Sequence, residues 1–203
     1  MERSAENSKE RILSAAEEVF AARGIDGARV DEIANQANIN KRMLYHYFQS
    51  KEELYIAVLR ANFEKVLAIS SRPFNGTGNL KEQVATAIGN YFYFLAQNPH
   101  FARLMTWEAL QGGVHARKVL PAIWEEGLER LKAILEQGMS QGVFRPDLDL
   151  RQLLTSINAL CSYYFINKDI LSTLWDIDPV QPDVLEKRLK HIRDLVLNYI
   201  TRP

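Results

Sequence analysis

Apolar residues recur along this chain at spacings of three and four, a period that predicts helices and no strand of substance. Ile12, Leu13, Ala16, Val19 and Phe20 share one face of a helix over about residues 8–23, with Glu10, Arg11, Glu17 and Glu18 opposite. Gly24 is placed to end it, because glycine takes the positive φ of a helix stop at little cost. A short helix over about 30–37 follows, with Val30, Ile33, Ala34 and Ala37 inward. The link Asn38-Ile39-Asn40 leads into a third helix, about 41–47, which Asn40 is suited to cap by accepting an unpaired backbone N–H. Ser50-Lys51-Glu52-Glu53 has the S-x-x-E form of a capping box. It opens a long fourth helix carrying Leu54, Tyr55, Val58, Leu59, Phe63 and Val66 inward and ending near Ser70 or Ser71.

Pro73-Phe74-Asn75-Gly76-Thr77-Gly78 breaks the pattern. Further helices are predicted over about 80–97, 100–111, 119–141, 150–170 and 183–201, with Pro99, Gly112-Gly113, Gly142, Pro146, Pro179 and Pro182 at the joints. The 119–141 helix carries Leu120, Trp124, Leu128, Leu131, Leu135 and Met139 on one stripe, widened by Ile123 and Ile134. The 150–170 helix is apolar around much of its circumference and needs cover on every side. The expected fold is all-α. A three-helix N-terminal domain occupies 1–50, a linking helix 51–71, and a larger helical bundle 72–203.

At 203 residues, 47% apolar and 25% charged, the chain suits a soluble globular protein with a real core. Its formal net charge is zero, and residues 1–60 carry nine Lys/Arg against ten Asp/Glu, so a nucleic-acid role must rest on where charge is placed. The single cysteine, Cys161, stands among apolar neighbours and reads as a small core residue. The polar start and the lack of a long apolar run point to a cytoplasmic protein without signal peptide or membrane span. His46, His100, His115 and His191 show no metal-ligand spacing, and nucleophile-elbow, phosphate-loop and dinucleotide-binding patterns are missing. The carboxylates fall on amphipathic solvent faces. No cofactor, no metal and no enzymatic activity are therefore expected.

The stretch VDEIANQANINKRMLYHYF (residues 30–48) has the form of a helix-turn-helix. With Ile33, Ala34, Ile39, Leu44 and Phe48 inward, Lys41, Arg42, Tyr45 and His46 share an outward face of the second helix. Lys and Arg meet phosphates or guanine edges, Tyr offers a hydroxyl to phosphate, and His46 donates from a ring nitrogen. Lys51 and Arg29 add charge where helix-start N–H groups favour phosphate.

Around these residues the segment RILSAAEEVFAARGIDGARVDEIANQANINKRMLYHYFQSKEELYIAVL resembles the DNA-binding domain of the tetracycline-repressor (TetR/AcrR) family, over about fifty residues. The resemblance lies in Ala15-Ala16, Phe20, Gly24, Gly27, Ile33-Ala34, Leu44-Tyr45-His46-Tyr47-Phe48 and Ser50-Lys51-Glu52-Glu53-Leu54. It implies an all-helical homodimer whose first three helices bind an operator and whose larger domain binds an effector and dimerises. It also implies DNA contacts from Arg29, Lys41, Arg42, Tyr45, His46 and Lys51, to which Asn40 is added as the residue opening the third helix. Asn38 stands where the family often has Gly, Asn40 where it has Ser or Thr, and Arg42 where relatives often have a small residue. Asn tolerates the left-handed conformation, so the turn is expected to survive.

Beyond residue 80 the resemblance is general. Aromatics are dense there (Tyr91, Phe92, Tyr93, Phe94, Phe101, Trp107, Trp124, Tyr163, Tyr164, Phe165 and Trp175), and most are expected to pack in the interior. Thr155, Asn158 and Ser162 fall near one face of the 150–170 helix, where Tyr91, Trp107 and Trp124 are candidates to face them around an effector. With no obvious buried charge, a neutral or weakly polar effector, apolar or aromatic, is expected. The resulting picture is a DNA-binding regulator, a repressor released from a palindromic operator by a small molecule. The alternative is a regulator of the same fold, controlled by a protein partner.

Overall fold

The computed structural model describes the backbone of residues 2–70 and 79–201, and their side chains except at 2–5, Ser70, 124–128 and Arg130. The expected break at Pro73–Gly78 lies outside the described residues. In chain order the helices are α1 (Glu2–Gly27), α2 (Val30–Gln36), α3 (Lys41–Tyr47), α4 (Lys51–Ser70), α5 (Leu80–Gln97), α6 (Pro99–Leu110), α7 (Leu120–Ser140), α8 (Leu150–Ile166), α9 (Lys168–Trp175) and α10 (Pro182–Thr201). A 3₁₀ turn, Ala116–Lys118, precedes α7, and no strand occurs among the described residues. None of the described helices is long and apolar enough to cross a membrane.

Local chemistry explains most boundaries. Asn79 and Glu82 form a reciprocal capping box at the start of α5, each side chain accepting the other's backbone N–H. Asp149 accepts from the N–H groups of Arg151 and Gln152 to start α8. Pro99 and Pro182 open α6 and α10, where a missing N–H costs nothing. The helix expected over 150–170 is broken at Asn167, whose φ of −104° and ψ of 18° leave the helical range. Asn167 returns both its backbone N–H and its side-chain amide to the Tyr163 carbonyl, which seals the end of α8.

The chain divides into two compact units, residues 1–65 with 100–123, and residues 66–99 with 124–203. Most of α6 falls in the first of these units, with the N-terminal helices. Phe101 meets Phe63 edge-on at 5.6 Å. Trp107 lies where a Cβ on Gly24 would stand, 2.9 Å away, and its indole N–H donates to the Ala21 carbonyl. Gly24 has a φ of 65°, so both its dihedral and its close approach exclude larger residues. The helical backbone resumes after it as far as Gly27, past the expected stop. Ile12, Phe20, Ile33, Leu44, Leu54 and Tyr55 fill the core of this unit, with Phe20 and Tyr55 edge-to-face at 4.9 Å.

A buried carboxylate departs from the sequence expectation. Glu108, 3% exposed, accepts from the backbone N–H groups of His115 and Ala116 and meets the His115 Nδ1 at 3.1 Å. It looks like a solvent-face residue in the periodicity of α6, but the segment after Gly113 folds back over it and supplies the hydrogen bonds that burial requires. Burial and the negative charge of Glu108 hold the Tyr55 hydroxyl above the usual phenol range.

The second unit is built on α5, α8 and α10. Phe92 is fully buried in it, 4.9 Å from Phe165, and Ile88, Ile157, Leu189, Ile192 and Val196 are buried on the same three helices. Cys161 is fully buried, as expected of a core residue. Not every aromatic packs: Tyr163 and Trp175 are 59% and 65% exposed, and Ile166, Ile170 and Leu174 are exposed with them on α8 and α9. The aliphatic and aromatic surface was enough to place these residues on helices, but not to say which face stays uncovered in one chain.

Candidate nucleic-acid interface

The first unit holds α3 out from its core by a single buried residue, Leu44. Lys41, Arg42, Tyr45 and His46 are all exposed on this helix, and Arg29 and Asn40 are exposed beside it. The expected side chains are thus brought together on one surface. Met43, 38% exposed, shares it and escaped the sequence reading because an apolar residue in a short helix was assigned no contact. Lys51 is half-buried and donates to the Ala28 carbonyl at 3.1 Å, which ties α4 to the start of α2.

Three local devices fix the angle of α3. The Asn40 side chain accepts from the Met43 N–H at 2.8 Å, the expected cap. Asn38 takes the left-handed conformation, φ 51°, so that Ile39 N–H can reach the Ala34 carbonyl and close α2. From α1, the Arg11 guanidinium donates to the carbonyls of Ala37 and Asn38 and pins the turn from outside. At the start of α4 the Ser50 hydroxyl accepts from Glu53 N–H, while the Glu53 carboxylate accepts from Gln49 N–H, one residue earlier than in a standard capping box. Asn38→Val is expected to cost about 1–3 kcal/mol, since a β-branched residue is strained at positive φ, whereas Asn38→Gly should be close to neutral. Urea melts of both variants check this.

Charge on this surface is locally arranged. Lys41 pairs with Asp31 of α2 at 2.9 Å, and that hydrogen bond holds its ammonium above the usual lysine range. Arg23 pairs with Glu32 at 2.9 Å, leaving Arg29 and Arg42 without an ion-pair partner among the described residues. Asp31 therefore competes with a phosphate for Lys41. Asp31→Asn is expected to tighten duplex binding by about 2–10-fold and to change stability by no more than about 1 kcal/mol. Weaker binding in fluorescence anisotropy would contradict this placement of Lys41.

The residues expected around an effector separate. In the second unit, Tyr91 donates its hydroxyl to Asn158 Oδ1 at 2.6 Å, joining α5 to α8. Thr155 is exposed and donates to the Arg151 carbonyl of its own helix, and Ser162 is half-buried. Trp107 belongs to the first unit, against Gly24, and the Trp124 side chain falls outside the described residues. The group that sequence reasoning missed is Arg188 of α10. It is part-buried, donates to the Leu160 carbonyl at 2.9 Å and stands 5.5 Å from the centre of the Tyr164 ring.

Comparison with known proteins agrees with this geometry. Residues 12–58 match the model of bacterial regulatory proteins of the tetR family, and residues 81–196 match the tetracyclin repressor-like C-terminal domain. The HTH-type transcriptional repressor NicS of Pseudomonas putida is 32% identical, over 98% of this chain and 94% of NicS. The transcriptional regulator SCO4942 of Streptomyces coelicolor superposes with a TM-score of 0.75 at 28% identity, covering 97% of this chain and 99% of that one. The regulator FadR of Bacillus subtilis, solved in complex with stearoyl-CoA, shares the fold with a TM-score of 0.75 at 23% identity, covering 94% and 98%.

Proposed function

This chain belongs to the tetR family of bacterial regulatory proteins and is a DNA-binding transcriptional regulator, and from that premise we propose that it is an effector-released repressor. It binds a palindromic operator as a cytoplasmic homodimer and leaves it when a small molecule enters the second unit. The observation that carries the DNA half of this reading is the exposed face of α3, where Lys41, Arg42, Tyr45 and His46 stand together on a helix anchored by Leu44 and capped by Asn40. In this reading residues 1–50 read the DNA, 51–71 connect, and 72–203 receive the effector and dimerise.

The uncovered apolar face of α8 and α9, formed by Tyr163, Ile166, Ile170, Leu174 and Trp175, supports a second copy as the partner. Two-fold pairing places two α3 helices on successive turns of one duplex face, about 34–36 Å apart or a multiple of that. An effector acts by binding more tightly to the dimer whose α3 spacing no longer fits the groove.

The test has two arms on the full chain. A ligand screen by thermal shift finds a binder, and fluorescence anisotropy with the operator duplex then measures release. A binder that weakens operator affinity about 5–150-fold supports the proposal. Binders that leave that affinity unchanged would favour control by a protein partner.

A further inference from the structure

We propose that the effector is a small organic monocarboxylate with an apolar body, and that Arg188 in the α5–α8–α10 core of the second unit is its countercharge. The inference rests on the effector reading above and names the chemistry of that same unit.

Arg188 is placed as a residue waiting for an anion. It lies part-buried among Leu160, Cys161 and Tyr164 of α8. One terminal nitrogen donates to the Leu160 carbonyl, and its Nε is buried without a hydrogen-bond partner. Among the described residues no carboxylate lies at ion-pair distance. Asp178 is the acidic group whose field reaches the neighbouring Tyr164, and it too stops short of a pair. A guanidinium in such a place bears a desolvation penalty that one carbonyl and one ring face offset only in part. A planar carboxylate matches the fork of Nε and Nη and removes the penalty through two parallel hydrogen bonds.

The neighbours suit the rest of such a ligand. The Tyr91–Asn158 hydrogen bond joins α5 to the same helix, α8, that carries Leu160 and Tyr164 beside Arg188. Burial pushes the Cys161 thiol up to about 12 and holds the Tyr91 hydroxyl above the phenol range, so both are neutral and neither repels an anion. Phe92, Tyr164 and Phe165 supply an aromatic wall. A second guanidinium from the same helix, Arg193, donates to the Ala85 carbonyl of α5, so Arg188 is the one that faces Leu160 and Tyr164 of α8.

The experiment compares carboxylates with their isosteric amides on the full-length protein by thermal shift and calorimetry, at constant ionic strength. The probes are benzoate against benzamide, phenylacetate against phenylacetamide, and hexanoate against hexanamide. The expected result is a higher Tm with at least one acid and none with its amide, and a loss of at least tenfold in that acid's affinity in Arg188→Met. Arg188→Lys, which keeps the charge but loses the fork, should recover only part of it. Equal effects of acid and amide, no effect of any acid, or undiminished acid binding in Arg188→Met overturns the proposal. Should Arg188→Met fail to fold, the wild-type comparison of acid with amide decides alone. An amide that binds and also releases operator would sink the anion while leaving effector-released repression intact.

Discussion

The double variant Lys41→Ala/Tyr45→Ala is expected to bind its operator on the order of 100-fold more weakly than wild type, because each lost contact is worth about 1–3 kcal/mol. Both side chains are exposed on α3 one turn apart, so their removal leaves the core untouched, and the Tm should stay close to that of wild type. The two do not act independently. Lys41 is held toward α2 by Asp31 and also feels Tyr45, so the single variants need not sum to the double. Lys41 contributes charge, and its loss should lower the slope of log K against log salt by about one. Tyr45 contributes a hydroxyl, and its loss should leave that slope unchanged. Anisotropy titrations at several salt concentrations separate the two. Wild-type affinity in the double variant would remove α3 from the interface.

Phe20→Ala is expected to lower the unfolding free energy of the first unit by about 3–5 kcal/mol, the range for deleting a buried aromatic ring. Phe20 is fully buried, and its ring meets the edge of Tyr55, so the substitution removes transfer energy, leaves a cavity and discards an aromatic pair. Tyr55 belongs to α4, and its hydroxyl lies beside the buried Glu108. The cavity therefore weakens the seat of α4 and α6 on α1 as well as the DNA-binding helices. Operator binding should be recovered on cooling or at high duplex concentration, since the exposed contact set is intact and DNA binding favours the folded state. Urea denaturation followed by circular dichroism gives the magnitude. A loss under about 1 kcal/mol would mean that the core is not closed around Phe20 as described.

What the sequence made legible was local. Asn40 and Ser50 could be read as caps because a cap is decided within three residues of itself. Asn38 could be assigned its left-handed turn for the same reason. The face of α3 followed from period alone, since a seven-residue helix with Leu44 inward leaves few choices for the rest. What stayed hidden depends on distant chain. Trp107 packs on Gly24, more than eighty residues away in sequence, so nothing near it told that its ring faces the first unit rather than Asn158. Glu108 reads as solvent-facing until the segment carrying His115 and Ala116 closes over it. Arg188 falls on α10 between buried Leu185 and Leu189, but its long aliphatic stem lets its charge lie against α8 while periodicity counts it as polar surface. Trp175 and Leu174 are exposed on α9, and hydrophobic content alone does not say which apolar residues the fold leaves uncovered.

The central claim is that the exposed face of α3, presented twice by a symmetric pair of chains, reads a duplex. Selection of bound molecules from a pool of random-sequence duplexes by the purified wild-type protein tests it most directly. The account predicts convergence on an inverted repeat, bound at least about a thousandfold more tightly than the starting pool and progressively lost as salt is raised. A pool that shows no enrichment after repeated rounds, or binding indifferent to salt, would contradict it.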